Sequence, residues 1–184
     1  MSDTYYVKTF GGLEITNDNV TVNIVELFGK QLVNLLQVLL FHSEKPVQKD
    51  ELIDILWPES KNPSSALKFS IFRLRAELNE IEFFKDKEVI VTTRKGYILN
   101  PNLDWNIDFV ELEKAYNQIN DGSELLDEKE FKTARKIFRL YQGRFYASPS
   151  QLHWILQKQE IFRQMYVKTM MRTSCYLYTQ KRYD

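Results

Sequence analysis

Leu67, Ile71, Leu74 and Leu78 recur at helical spacing directly after Asn62-Pro63, and no other pattern in the chain constrains the fold so tightly. At about 100° per residue these four side chains share one stripe, which must face a core. Asn62 is suited to cap the free amides at the start, and Pro63 suits the first helical position, where its missing N–H has no partner to lose. Ser65, Lys68, Phe69, Phe72 and Arg73 point away from the stripe, with Ser64 and Arg75 flanking it. From Lys61 to Arg75 there is no Asp or Glu. A short link then leads to Val89-Ile-Val-Thr-Thr-Arg-Lys-Gly-Tyr-Ile-Leu99, which reads as a hairpin with Gly96 in the turn and Arg94-Lys95 at or near its tip. Charged outer faces and solvated turns are common on globular proteins, so each feature alone fits a bland reading as well as a functional one.

Upstream, Tyr5 to Phe10, Leu13 to Ile15 and Val20 to Val22 alternate and are punctuated by Gly11-Gly12 and Asn17-Asp-Asn19, which predicts short antiparallel strands. From Gly29 to Phe41, apolar residues nearly encircle a helix and imply burial on most sides. Lys49 to Trp57 carries Asp50 and Glu51 in its first turn, with Pro58 stopping it. The order strands, helix, helix, helix, hairpin predicts an α+β winged helix-turn-helix domain over residues 1–103, whose third helix would enter a major groove.

Pro101-Asn102 marks a boundary, and residues 104–184 read as helical. Asp108 with Glu111 and Asp127 with Glu130 look like capping boxes, Gly122 and Gly143 look like helix stops, and Ser148-Pro149 opens a long helix. No clean repeat period is detectable, yet successive helical hairpins of this kind stack into solenoids. The last residues carry no stop signal and leave the final helix without a packing partner, so further helices are expected after it. Cys175 lies in an apolar helical stretch, where a buried thiol is expected.

Composition limits the function. The 184 residues are 43% hydrophobic, enough for a real core. No apolar run is long enough to cross a bilayer and the start lacks an export-signal layout, so a cytoplasmic protein without membrane contact is expected. The net charge is zero, unlike a general nucleic-acid binder. Between residues 61 and 103, however, eight cations stand against five carboxylates. His42 and His153 are the only histidines and have no nucleophile or ligand spacing around them. Gly11-Gly12 is not a phosphate loop, and Asp50, Glu51 and Asp54 are explained as a helix-start charge set. No catalytic residue, metal site or cofactor is expected.

Leu13-Glu14, Lys49-Asp-Glu-Leu-Ile-Asp-Ile-Leu-Trp57, Ala66-Leu67 with Ile71-Phe-Arg-Leu-Arg75, and Lys95-Gly-Tyr-Ile-Leu99 resemble the OmpR/PhoB-type winged helix of SARP-type transcriptional activators. Asp104 to Phe109, Tyr141-Gln-Gly-Arg-Phe145 and the helix around Trp154 resemble the bacterial transcriptional activator domain, an all-α, tetratricopeptide-like module. The resemblance implies a sequence-specific regulator, an activator, that binds double-stranded promoter DNA, with self-association on DNA and RNA polymerase as further partners. It places Arg73 and Arg75 as the paired arginines of a recognition helix, Ser70 at a polar contact, and Arg94 and Lys95 in the wing. Ser65, Lys68 and Phe72 complete the expected DNA-facing set. Phe72 departs from the polar or basic pattern of the family, and with Phe69 it fits either contacts to thymine methyls or a protein interface. The alternative function is accordingly a helical interaction module whose winged helix binds protein rather than DNA.

Overall fold

The computed structural model describes residues 4–119, 126–147 and 152–180. Six strands and seven α-helices run in the order β1 (Thr4–Lys8), β2 (Glu14–Asn17), β3 (Val20–Asn23), α1 (Ile24–Leu27), α2 (Lys30–Phe41), α3 (Lys49–Leu56), α4 (Pro63–Asn79), β4 (Ile90–Thr92), β5 (Tyr97–Leu99), β6 (Asp104–Ile107), α5 (Asp108–Ile119), α6 (Glu128–Leu140) and α7 (His153–Thr179) among the described residues. One sheet has the order β3-β2-β1-β6, and β4 and β5 form a separate antiparallel pair. An α+β winged helix followed by helices is therefore the architecture, as the sequence predicts. Three elements went unread: α1, opened by the Asn23 side chain accepting from the Val25 N–H at 3.1 Å, a short 3-10 turn over Glu82–Phe84, and β6, a strand just ahead of the helix start expected at Asp108.

Contacts divide the chain into two compact units, Met1–Tyr5 with Ile15–Trp105, and Tyr6–Glu14 with Asn106–Asp184. The units do not follow a single cut after residue 103.

In the first unit α2, α3 and α4 pack on one another. Leu32 through Leu40 of α2 are all buried, as near-continuous apolar character requires. Leu67, Ile71, Leu74 and Leu78 of α4 turn inward, each under 4% exposed. Pro63 is at the helix start as expected, but the Asn62 side chain makes no capping hydrogen bond; only its backbone carbonyl accepts, from Ala66 N–H at 3.1 Å. Tyr5, Phe84 and Trp105 close the other end of this unit, with ring centroids 4.9 to 5.9 Å apart.

The second unit is built on an aromatic cluster. Phe10, Phe145 and Phe162 are fully buried, their ring centroids 4.9 to 5.9 Å apart. The Gly11 N–H donates to the Arg144 carbonyl at 2.9 Å, and the Tyr146 N–H to the Thr9 carbonyl at 2.7 Å. Gly143, at φ 139°, lies so close that a Cβ there would meet the Gly11 Cα at 3.0 Å. This is why the chain needs glycine on both sides of the crossing.

The capping box of Asp127 and Glu130 is present in full. That of Asp108 and Glu111 is not. Asp108 instead accepts from the Thr9 and Phe10 N–H groups at 2.8 and 3.1 Å and from the Thr9 hydroxyl. Glu111 turns to Lys136 of α6 at 2.6 Å, and that hydrogen bond holds its carboxyl below the ordinary range. Burial pushes the Asp108 carboxyl above the usual range although the hydrogen bonds from Thr9 and Phe10 oppose it. The folded chain therefore holds this proton more tightly than the unfolded chain does. Stability contributed here falls as pH rises from the ordinary aspartate value through the raised folded value. The stability of the parent relative to Asp108→Asn, from urea unfolding across the acid range, should fall as pH rises; a difference independent of pH would contradict this.

Cys175 is exposed, not buried: Thr173 and Tyr176 take the inward positions of α7 and carry the thiol outward. Nor is α7 without a partner, since Tyr166 stacks on Tyr141 and Tyr176 on Phe131 at 4.7 and 4.9 Å. Its other face leaves Met170, Met171 and Tyr178 exposed. Gly122 and Ser148-Pro149 lie outside the described residues.

Candidate nucleic-acid interface

The outward face of α4 follows from the burial of its inward one. With Leu67, Ile71, Leu74 and Leu78 in the core, Ser65, Lys68, Phe69, Phe72 and Arg73 are all exposed, as the helical period requires. Phe69 is 61% and Phe72 70% exposed. Arg73 is held along its own helix: its guanidinium lies 5.9 Å from the Phe69 ring centroid and 3.5 Å from Glu77. Both partners of that ion pair are well exposed, so it is worth at most about 1 kcal/mol and yields readily to a phosphate or a base edge.

Ser70 is placed otherwise than expected. It is only 7% exposed, on the flank of α4 beside Trp57, which removes it from direct contact with a large partner. Arg75 also departs from its expected role. Its Nε and Nη2 donate to the Ile90 carbonyl at 3.1 and 2.8 Å, and Nη2 donates to the Thr92 hydroxyl at 2.8 Å. The guanidinium is thus spent on tying α4 to β4. Arg73 and Arg75 leave the helix in different directions, as their spacing dictates, and only Arg73 points outward.

The hairpin pairs Ile90 with Leu99, Val91 with Ile98 and Thr92 with Tyr97. Val47 adds a further rung, exchanging hydrogen bonds of 2.8 and 3.0 Å with Tyr97. The turn is closed by the Thr93 N–H donating to the Gly96 carbonyl at 2.8 Å, while the Thr93 hydroxyl accepts from the N–H groups of Lys95 and Gly96. Arg94 and Lys95 are exposed at its tip. Sequence reading missed Thr92 and Thr93 as the groups that shape this wing; a hydroxyl at a strand end carries no distinguishing signal.

Six of the eight expected residues, Ser65, Lys68, Phe72, Arg73, Arg94 and Lys95, are therefore exposed in the first unit, while Ser70 is buried and Arg75 is half-buried and hydrogen-bonded to β4. Shallow depressions flank α4, one of about 450 Å³ beside Trp57 and Phe69 and one of about 420 Å³ beside Phe72 and Lys87. Among the described residues no group of three acidic, histidine or cysteine side chains is placed to hold a metal, and no helix is long and apolar enough to cross a membrane.

Residues 25–99 match the family described as "Transcriptional regulatory protein, C terminal". Among solved structures, the fold is similar to that of Mycobacterium tuberculosis EmbR, a SARP-type regulator, in complex with a low affinity phosphopeptide. That similarity has 16% sequence identity and a TM-score of 0.70, over 97% of this chain and 46% of that one. The chain thus spans about half the length of the EmbR structure it matches. The DNA-binding domain of E. coli CadC aligns at 25% identity with a TM-score of 0.39, over 51% of this chain and 88% of that one. No curated protein matches the chain. The matched family is one of transcriptional regulators and not an enzyme class. The exposed ridge of α4 and the Arg94-Lys95 tip both fall inside the matched stretch, and residues 25–99 are an OmpR/PhoB-type winged-helix domain of that DNA-binding family.

Proposed function

We propose that the chain is a sequence-specific transcriptional activator that grips promoter DNA with α4 in the major groove and the Arg94-Lys95 turn on the neighbouring minor groove or backbone. One observation supports this above the others. Ser65, Lys68, Phe72 and Arg73 are exposed together on a helix face that has no carboxylate between Lys61 and Arg75, within one unit that also carries the cationic hairpin tip. Lys68, Arg94 and Lys95 suit phosphates, which reward neutralisation by counterion release. Arg73 suits the O6 and N7 acceptors of guanine, reached by exchanging its weak pairing with Glu77. A regulator on DNA works beside the chromosome, which in this reading means the cytoplasm. The helical residues from 104 onward are assigned to self-association on DNA or contact with RNA polymerase.

Replacing Arg73 by alanine should weaken binding to duplexes enriched from a random pool by about 1–3 kcal/mol, with the melting temperature unchanged. Equal affinity of Arg73→Ala and the parent in a low-salt gel shift would contradict the assignment. A second reading, a winged helix that binds protein, draws on the zero net charge and on Phe69 and Phe72 standing in solvent. It requires that no duplex be bound at roughly 50 mM salt.

A further inference from the structure

We infer that Phe69 and Phe72 read the 5-methyl groups of thymine, so that the DNA preferred by this chain carries thymine where α4 approaches the base edges. The inference rests on the proposed DNA binding and adds what the helix selects for.

The positions of the two rings come first. Three residues apart, they share a face, and at about 100° per residue Ser65, Phe72, Arg73 and Ala76 all lie within about 60° of Phe69. The phenylalanines therefore occupy the crest of the face opposite the buried stripe. Phe69 is 61% and Phe72 70% exposed, among the most exposed large apolar side chains of the chain. On a soluble domain such side chains at a crest are uncommon unless a partner covers them.

Charge decides between partners. Lys68 flanks the crest on one side and Arg73 on the other, and no carboxylate occurs between Lys61 and Arg75. Cations on both flanks, with Glu77 as the weak and exposed partner of Arg73, complement phosphates, whereas a protein hot spot around exposed aromatics has no need of cations on both flanks. A phenyl ring has no donor or acceptor for a phosphate oxygen or for the polar atoms of guanine, cytosine or adenine. The apolar group that a base edge offers in the major groove is the methyl of thymine. Arg73, its guanidinium 5.9 Å from the centre of the Phe69 ring, is then carried to a base beside the one whose methyl Phe69 covers.

The test uses the whole chain and sites enriched from random duplex DNA, with each thymine replaced in turn by deoxyuridine, which lacks only the methyl. Losing one buried methyl contact should weaken binding by about fourfold. The expected result is that at least one thymine shows this loss with the parent and that Phe69→Ala/Phe72→Ala no longer distinguishes the two bases. Both substitutions are at exposed positions, so melting should be unchanged and confirm that the variant is folded. Equal affinity for thymine and deoxyuridine at every position, with duplex binding intact, overturns the inference and leaves the regulator assignment standing. A double variant that keeps parental discrimination also overturns it. Absence of any duplex enrichment at low salt overturns both this inference and the DNA-binding assignment.

Discussion

Replacing Gly96 with alanine is expected to unfold the wing and abolish duplex binding. A Cβ at this position would stand 1.8 Å from the Val47 carbonyl oxygen and 2.7 Å from its carbon, and φ is 152°, a conformation that side chains rarely adopt. Neither partner can step aside cheaply. Val47 is held to Tyr97 by hydrogen bonds of 2.8 and 3.0 Å, and both residues are buried. Backbone strain and overpacking each cost about 1–3 kcal/mol, so a loss of about 3 kcal/mol or more is expected for the first unit. Lys95→Ala, one residue away and exposed, should leave melting unchanged and weaken DNA binding only in proportion to one lost cation. Thermal melting and a gel shift of both variants check this. A Gly96→Ala protein that melts with the parent would show that the Val47 contact does not constrain the hairpin.

The second large effect separates the two arginines. Arg75→Met keeps the length and packing of the side chain but removes three hydrogen bonds, two to Ile90 O and one to Thr92 Oγ1. Ile90 is buried, so its carbonyl loses partners that water cannot easily replace. A cost of about 1–3 kcal/mol is expected in urea unfolding. Arg75→Lys should recover only part of it, because an ammonium group cannot reproduce the forked geometry. Arg73→Ala should show the opposite profile, with unfolding unchanged and DNA affinity reduced. If Arg75→Met unfolds like the parent yet loses DNA affinity, Arg75 contacts DNA as its place in the motif first suggested, and the tie to β4 is dispensable.

The difference between these arginines shows where the sequence is legible and where it is not. Helical spacing alone says that Arg73 and Arg75 diverge, but which one meets a neighbour depends on where β4 passes, fifteen residues further along the chain. Local signals were reliable: Pro63 with the stripe from Leu67 to Leu78, the all-round apolar character of α2, Gly96 in a hairpin turn, and the capping box at Asp127. Signals with a distant competitor were not. Asp108 has the spacing of a capping box, but the amides of Thr9 and Phe10, 99 and 98 residues away, take its carboxylate. The strands β1 and β2 stand in the first sheet as their alternation predicts; what alternation does not show is that Phe10 between them, buried among Phe145 and Phe162, gives Tyr6–Glu14 its place in the helical unit. Cys175 lies one helical step from where its apolar stretch suggested, and Ser70 one step from the polar contact that the family resemblance implied; one step on a helix is about 100°, enough to exchange core for surface.

The most direct test of a cation-flanked face of α4 acting with a cationic hairpin tip is the salt dependence of duplex affinity for the intact chain. With Lys68, Arg73, Arg94 and Lys95 on phosphates or bases, the logarithm of affinity should fall with the logarithm of salt concentration at a slope of about −3 to −4, and Lys68→Ala should reduce it by about one. A slope near zero, or one that Lys68→Ala and Lys95→Ala leave untouched, would contradict it.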